Sequence, residues 1–414
     1  MNILIINQPL NNRGDESAHK GLLRAIVKNI PEAEITVLFG GNNESTKDSV
    51  RQFSVKSERV QYVCFKPILG RGISFVGNKA LKYNLPWLAK LHPGINQYLK
   101  FFKKADYVVC APGGMCMGGF MNWNHLLQLY YAKWCNKPLA YYGRSFGPFS
   151  DETPEKALFK KLSVNILKYF SFLSIRDKKT EHIADSLGIN NYVSVVDSAF
   201  LDSPKVDIPQ EIKKQIGDKY FVFVPNLLIW HPFYKGKITK EEIIQFYCEA
   251  IDVLFAKYPD SKAVMLPQTF NYGSYDGDDI HLFREIAAAK NDNRIVVVDD
   301  KYSSDIQQTI IADSQLMVGS RYHSVVFALN NATPFIALSY EHKISGLLET
   351  IGKTDCMIDI ETALFSQEGR RDVLRQLSEK IESTKSDTKV RSVCKKLAED
   401  GFNEFKKRFL NMWL

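Results

Sequence analysis

Short apolar strands that alternate with amphipathic helices, in two series parted by a proline-interrupted linker, predict an α/β protein built on two parallel sheets. The first series places strands at residues 3–6, 35–39, 107–110, 139–142 and 172–175. Between them Ala18, Leu22, Ile26 and Ile30 recur every four residues, and Leu126, Leu127, Tyr130 and Tyr131 share one helical face. The second series places strands at 220–224, 263–266, 295–298, 316–318 and 335–338, with helices at 241–256, 279–289, 304–313 and 322–330. The linker Asp202-Ser203-Pro204-Lys205-Val206-Asp207-Ile208-Pro209 shows no periodicity and marks the hinge. The expected domains are 1–203 and 204–385, followed by an amphipathic helical segment at 386–414. Each half reads as a Rossmann-like unit. Two such units are expected to face each other across a cleft, where the carboxyl ends of their strands would bind ligands.

Composition agrees with this division. At 414 residues the chain is too long for one comfortable core, and 45% hydrophobic with 24% charged residues excludes a disordered or fibrous protein. No apolar run approaches the roughly 20 residues of a spanning helix. Met1-Asn2-Ile3-Leu4-Ile5-Ile6-Asn7 reads as a strand and not a leader, so a cytoplasmic protein is expected. The 7 cysteines are scattered, and the nearest pair, Cys110 and Cys116, has no second pair to complete a metal set. Reduced thiols and no metal are the expectation. A net charge of +8, spread along the chain, suits anionic substrates or a membrane surface better than nucleic acid. In the tail, Phe402, Phe405, Phe409, Met412 and Trp413 alternate with Lys406, Lys407 and Arg408. The favoured expectation is a helix that packs its aromatic face onto the first domain; a helix resting on the inner face of a membrane is the second reading.

The sharpest chemical signal is Gly319-Ser320-Arg321-Tyr322-His323, between an apolar strand and the helical run from Ser324 to Leu329. A helix N-terminus attracts anions, Arg321 adds a forked donor for carboxylate or phosphate, and His323 offers a proton near neutral pH. Ser174-Ile175-Arg176-Asp177 repeats the theme in the first half: Arg176 leaves a strand end beside Asp177, which reads as a helix cap. Arg176 either approaches an anion or pairs with Asp177 or another helix carboxylate.

Other loops carry weaker signals. Asn11-Asn12-Arg13-Gly14-Asp15-Glu16-Ser17 follows the first strand, with Asp15 as an expected N-cap. It lacks nucleotide-binding glycine spacing, and the carboxylates of Asp15 and Glu16 suit sugar hydroxyls better than phosphate. Ala111-Pro112-Gly113-Gly114-Met115-Cys116-Met117-Gly118-Gly119 lets a backbone approach a ligand or another loop closely. Gly143-Arg144-Ser145-Phe146-Gly147-Pro148 is similar, and Asp197 ends a further strand. Trp230 could stack on a sugar or pack locally, Gln268-Thr269 falls on the ligand side, and Lys343 could reach a phosphate. His19, His92, His125, His182 and His281 lack ligand spacing and read as surface or satisfied histidines.

Taken in order, Asn12-Arg13-Gly14-Asp15-Glu16, Ser174-Ile175-Arg176-Asp177, Val196-Asp197-Ser198-Ala199-Phe200, Gly319-Ser320-Arg321-Tyr322-His323 and Thr333-Pro334-Phe335 through Tyr340-Glu341-His342-Lys343 resemble a polysaccharide pyruvyl transferase. The resemblance implies a GT-B-like pair of domains, acceptor side first and donor side second. It also implies transfer of a pyruvyl group from phosphoenolpyruvate, as co-substrate and without a further cofactor, onto two hydroxyls of a hexose. The product would be a cyclic ketal in a polysaccharide or its lipid-linked precursor. On this likeness Arg176, Arg321 and His323 are the catalytic set. With the reading of the loops added, Arg176, Ser320, Arg321 and Lys343 are expected to hold the donor, and Asp15, Glu16, Gly113, Gly114 and Trp230 to meet the acceptor. The stretch Pro112 to Gly118 departs from the simpler glycine-rich pattern of the family. A GT-B glycosyltransferase using a nucleotide sugar, or a non-catalytic glycan-binding protein, are the alternatives that the residues leave open.

Overall fold

The computed structural model describes the chain apart from residues 10, 42, 67–71, 115, 116, 119, 120, 232, 271–277, 300, 341 and 412–414, and the side chains of residues 45, 230 and 342. Its first sheet comprises β1 (Asn2–Ile6), β2 (Glu34–Phe39), β3 (Val60–Cys64), β4 (Tyr107–Cys110), β5 (Leu139–Tyr141), β6 (Phe172–Ile175) and β7 (Val193–Ser194), in the order β3-β2-β1-β4-β5-β6-β7. The second comprises β8 (Tyr220–Val224), β9 (Lys262–Met265), β10 (Ile295–Val297), β11 (Met317–Gly319), β12 (Phe335–Ser339) and β13 (Met357–Asp359), in the order β10-β9-β8-β11-β12-β13. The registered strand pairs in both sheets are parallel.

Burial on both faces explains the apolar runs. In β1, Leu4 and Ile6 enter one core with Leu99, Leu126 and Tyr130, while Ile3 and Ile5 enter another with Leu22 and Ile26. The alternation is the two-residue period of a strand. β8, Tyr-Phe-Val-Phe-Val, is buried throughout. β3 and β13 escape the sequence reading because they are only partly buried and no continuous apolar run announces them. β7 is the strand expected to end at Asp197, and it stops at Ser194.

The chain forms two compact units. The first contains Met1–Leu10, Asp15–Asp202 and Leu397–Leu414; the second contains Asn11–Gly14 and Ser203–Lys396. Against the expected boundaries at 203/204 and 385/386, two differences stand out. The segment Asn11–Gly14 packs with the second unit, and the helix Thr388–Arg408 enters the first from Leu397. Phe402, Phe405 and Phe409 are buried against the first sheet, Phe405 at 5.3 Å from Tyr142 and 5.5 Å from Phe172 between ring centres. That face of the tail is therefore core and is not presented to a membrane. Met412 and Trp413 lie outside the described residues. Among the described residues no helix is long and apolar enough to cross a membrane.

In each sheet the strand order reverses once, between β1 and β4 and between β8 and β11. In open parallel sheets the crevice beyond such a reversal, at the carboxyl ends of the strands, is where ligands bind.

Candidate active site

In the second unit β11 ends at Gly319 and the helix Tyr322–Asn331 begins at once, with Arg321 at the cap position and no capping side chain. Ser324 closes the turn, its N–H and its hydroxyl both donating to the Arg321 carbonyl, at 3.0 and 2.6 Å. Ser320 is fully buried: its N–H donates to the Val224 carbonyl at 2.8 Å, and its hydroxyl lies 3.1 Å from Tyr247 Oη. Burial raises the Tyr247 phenol above its ordinary range, so it stays a neutral hydroxyl.

Arg321 is held by Asp279, a residue that sequence reasoning placed only as the start of a helix. Its Nη2 bonds Asp279 Oδ1. Asp279 Oδ2 accepts the backbone N–H groups of Gln268 and Thr269, each at 2.9 Å. One buried carboxylate therefore fixes the turn after β9 and aims the guanidinium after β11. The only sequence signal was an acid in the first turn of the helix Asp279–Lys290, where such residues are common.

His323 is buried, 8% exposed, with its ring edge-on to Tyr322 at 5.0 Å. Gly14, in the same unit, packs against it so closely that a Cβ there would stand 1.8 Å from His323 Nδ1. The segment carrying Gly14 is tied down locally. Arg13 N–H donates to the Gln268 carbonyl at 2.8 Å, Phe270 N–H to the Asn11 carbonyl at 2.9 Å, and the Arg13 guanidinium stacks on Phe270 at 4.8 Å. The helix Arg13–Asn29 starts earlier than expected, and this corrects the role given to Asp15. Asn12 Oδ1 accepts from Gly14 N–H at 2.8 Å and performs the capping, leaving Asp15 in the first turn.

In the first unit Arg176 bonds Asp197 and reaches the Gly113 carbonyl at 3.2 Å. The pairing with Asp177 considered from sequence does not form. Asp177 is committed as a cap, accepting from Thr180 N–H at 2.8 Å, Thr180 Oγ1 at 2.8 Å and Ser145 Oγ at 2.6 Å. Asp15 and Glu16 are both buried, and Glu16 pairs with Lys20 at 2.8 Å. Arg144 Nε donates to the Gly114 carbonyl at 2.9 Å. Gly118 serves close packing: a Cβ there, at φ +107°, would meet Gly147 Cα at 2.3 Å.

Arg144 escaped the sequence reading. It is 1% exposed, and its Nη1 reaches the carbonyls of Ala111 at 2.7 Å and Asn7 at 3.2 Å, just beyond β4 and β1. A positive charge is thus buried at the reversal of the first sheet. Lys343 stands on the first turn of the helix His342–Thr350, after β12. Trp230 closes a short 3-10 turn, and its side chain lies outside the described residues. Of the remaining histidines, His92 caps a helix through Nδ1, 3.2 Å from Gly94 N–H. His19 and His125 are buried, and burial holds both well below the ordinary imidazole range, His19 at about 3.

Two parallel sheets, each reversing once and each followed by helix starts that carry an arginine, define an α/β protein of the GT-B-like class with a helical C-terminal segment. Solved structures share this fold. A UDP-N-acetylglucosamine 2-epimerase matches with a TM-score of 0.60 and 12% identity, covering 100% of this chain and 97% of its own. S. aureus MnaA in complex with UDP matches with a TM-score of 0.58 and 13% identity, over the same shares. The chain belongs to the polysaccharide pyruvyl transferase family, whose model matches residues 12–342. Among its relatives the amylovoran biosynthesis protein AmsJ of Erwinia amylovora is 22% identical over 398 residues, 88% of this chain and 89% of that protein.

Proposed function

We propose that the protein transfers a pyruvyl group from phosphoenolpyruvate to two hydroxyls of a hexose, in an exopolysaccharide or its lipid-linked precursor, in the cytoplasm. The observation that carries this reading is Arg321 and His323, two residues apart at the start of one helix beyond β11, with Arg321 oriented by Asp279. Phosphoenolpyruvate presents a carboxylate and a phosphate, which an arginine fork beside the positive end of a helix suits. Arg176, Ser320 and Lys343 complete the proposed donor set, and Asp15, Glu16, Gly113, Gly114 and Trp230 the acceptor set.

His323, as imidazolium, gives a proton to the methylene carbon of phosphoenolpyruvate. The double bond supplies the electron pair, and the central carbon becomes oxocarbenium-like. One sugar hydroxyl adds there and loses its proton. Phosphate then leaves with the electrons of its carbon–oxygen bond, the second hydroxyl adds, and its proton is lost to complete the ketal. No external oxidant or reductant enters. The protein's task is placement and charge stabilisation, the larger share of such catalysis.

The test is incubation of the purified protein with phosphoenolpyruvate and a panel of galactosides and mannosides. Inorganic phosphate should appear together with an acceptor heavier by one pyruvate less one water. Transfer from a nucleotide sugar instead, with phosphoenolpyruvate untouched, overturns the reading.

A further inference from the structure

Asn226 lies two residues beyond β8 and Gln268 three residues beyond β9. The parallel register pairs Phe223 with Met265 and Val224 with Gly319. Continued past the strand ends, it sets Gln268, Asn226 and Arg321 level with one another, on three adjacent strands and astride the β8/β11 reversal. The backbones there are well fixed. Tyr247 Oη stands 3.1 Å from the N–H and the carbonyl of Asn226 and 3.1 Å from Ser320 Oγ, while Gln268 N–H is bound to Asp279.

The side chains differ from the backbones. Asn226 is 0% exposed, and neither its Nδ2 nor its Oδ1 has a hydrogen-bond partner among the described residues; Gln268 is 2% exposed, and its Nε2 has none. A buried polar group left unsatisfied costs about 1–3 kcal/mol, so three in one row are a poor device for folding alone. Which way the Asn226 amide is turned does not matter, because both ends lack a partner.

The chemistry of the row selects the ligand. A carboxylate or phosphate would satisfy the two NH2 groups but would face the Asn226 carbonyl oxygen with like partial charge. A hydroxyl both accepts and donates, so a pair of sugar hydroxyls satisfies all three groups. We propose that Asn226 and Gln268 form a hydroxyl-binding subsite beside Arg321 that orients the attacking diol of the hexose. The proposal rests on the pyruvyl transfer reading, in which a hydroxyl must come within bonding distance of a donor carbon held at Arg321.

The experiment compares wild type, Asn226→Ala and Gln268→Ala in three measurements: methyl β-galactoside and methyl α-mannoside binding by saturation-transfer NMR, phosphoenolpyruvate binding by fluorescence titration, and thermal melting. The expected result for Asn226→Ala is at least a tenfold loss of glycoside affinity, phosphoenolpyruvate affinity within twofold of wild type, and a melting temperature no lower than wild type. Gln268→Ala should show the same pattern more weakly. Glycoside binding within twofold of wild type, a tenfold loss of phosphoenolpyruvate affinity, or no glycoside binding by wild type overturns the subsite. A clear drop in melting temperature with glycoside binding unchanged makes Asn226 structural and also overturns it. Phosphate release separates the two readings. If wild type never releases phosphate yet binds glycoside through Asn226, the transfer chemistry fails and the subsite stands. If Asn226→Ala turns over with an unchanged acceptor KM, the subsite fails and the transfer reading stands.

Discussion

Gly14 and His323 are packed so tightly that a single methyl group on Gly14 would stand 1.8 Å from Nδ1 and 2.0 Å from Cγ of the imidazole. Gly14→Ala must therefore displace the ring. At an ordinary helical position the same change stabilises by about 0.5–1 kcal/mol. Here the methyl should instead lower turnover by about a hundredfold, the scale of a misplaced reacting group. Steady-state kinetics on the variant checks this, and a loss in kcat with little change in phosphoenolpyruvate KM is the expected pattern.

Asp279 holds Arg321 and two backbone N–H groups from a site that is 2% exposed at the side chain. Asp279→Ala leaves the guanidinium without this carboxylate and both amides without an acceptor. The expected cost is about 3 kcal/mol in urea denaturation, the low end for breaking a buried pair because Arg321 keeps partial access to water. Asp279→Asn, which preserves shape, should retain most of the stability yet weaken phosphoenolpyruvate binding, since Arg321 loses its anionic anchor.

His19 is buried, and its ring is held near pKa 3, chiefly by burial and next by Lys20. The unfolded chain takes up this proton below about 6.5, whereas the folded chain does so only near 3. Folding stability contributed by the neutral ring is thus complete above 6.5 and is lost as pH falls through that window, at about 1.4 kcal/mol per pH unit. His125 acts in the same direction. In His19→Gln the slope of stability against pH between 6 and 4 should fall by about that amount, measured by urea titration at several pH values.

Phe405 is fully buried between Tyr142 and Phe172, so the tail is part of the first core. Phe405→Ala should cost about 3–5 kcal/mol in chemical denaturation. A change in liposome association without loss of stability would contradict this placement.

Strands such as β8 were legible because a buried apolar run leaves a local mark, and Ser320-Arg321-Tyr322-His323 marked a strand-to-helix turn in the same way. What the sequence concealed depends on distant partners. Arg144 looks like any loop arginine until Asn7, Ala111 and Gly114 turn their carbonyls toward it. Asp279 resembles a routine first-turn acid until β9 and β11 bring Gln268 and Arg321 to its two oxygens. Asp15 misled for a related reason. The pairing of Asn12 with Thr269 starts the helix at Arg13, and that hands the cap to Asn12.

The most direct test of the whole account is phosphate release from phosphoenolpyruvate by the purified protein, with and without a galactoside or mannoside acceptor, beside His323→Ala. Acceptor-dependent release by wild type, one phosphate for each pyruvylated sugar, with loss of turnover but not of melting temperature in the variant, is the expected result. Undiminished release by His323→Ala, or none by wild type with any acceptor, would contradict it.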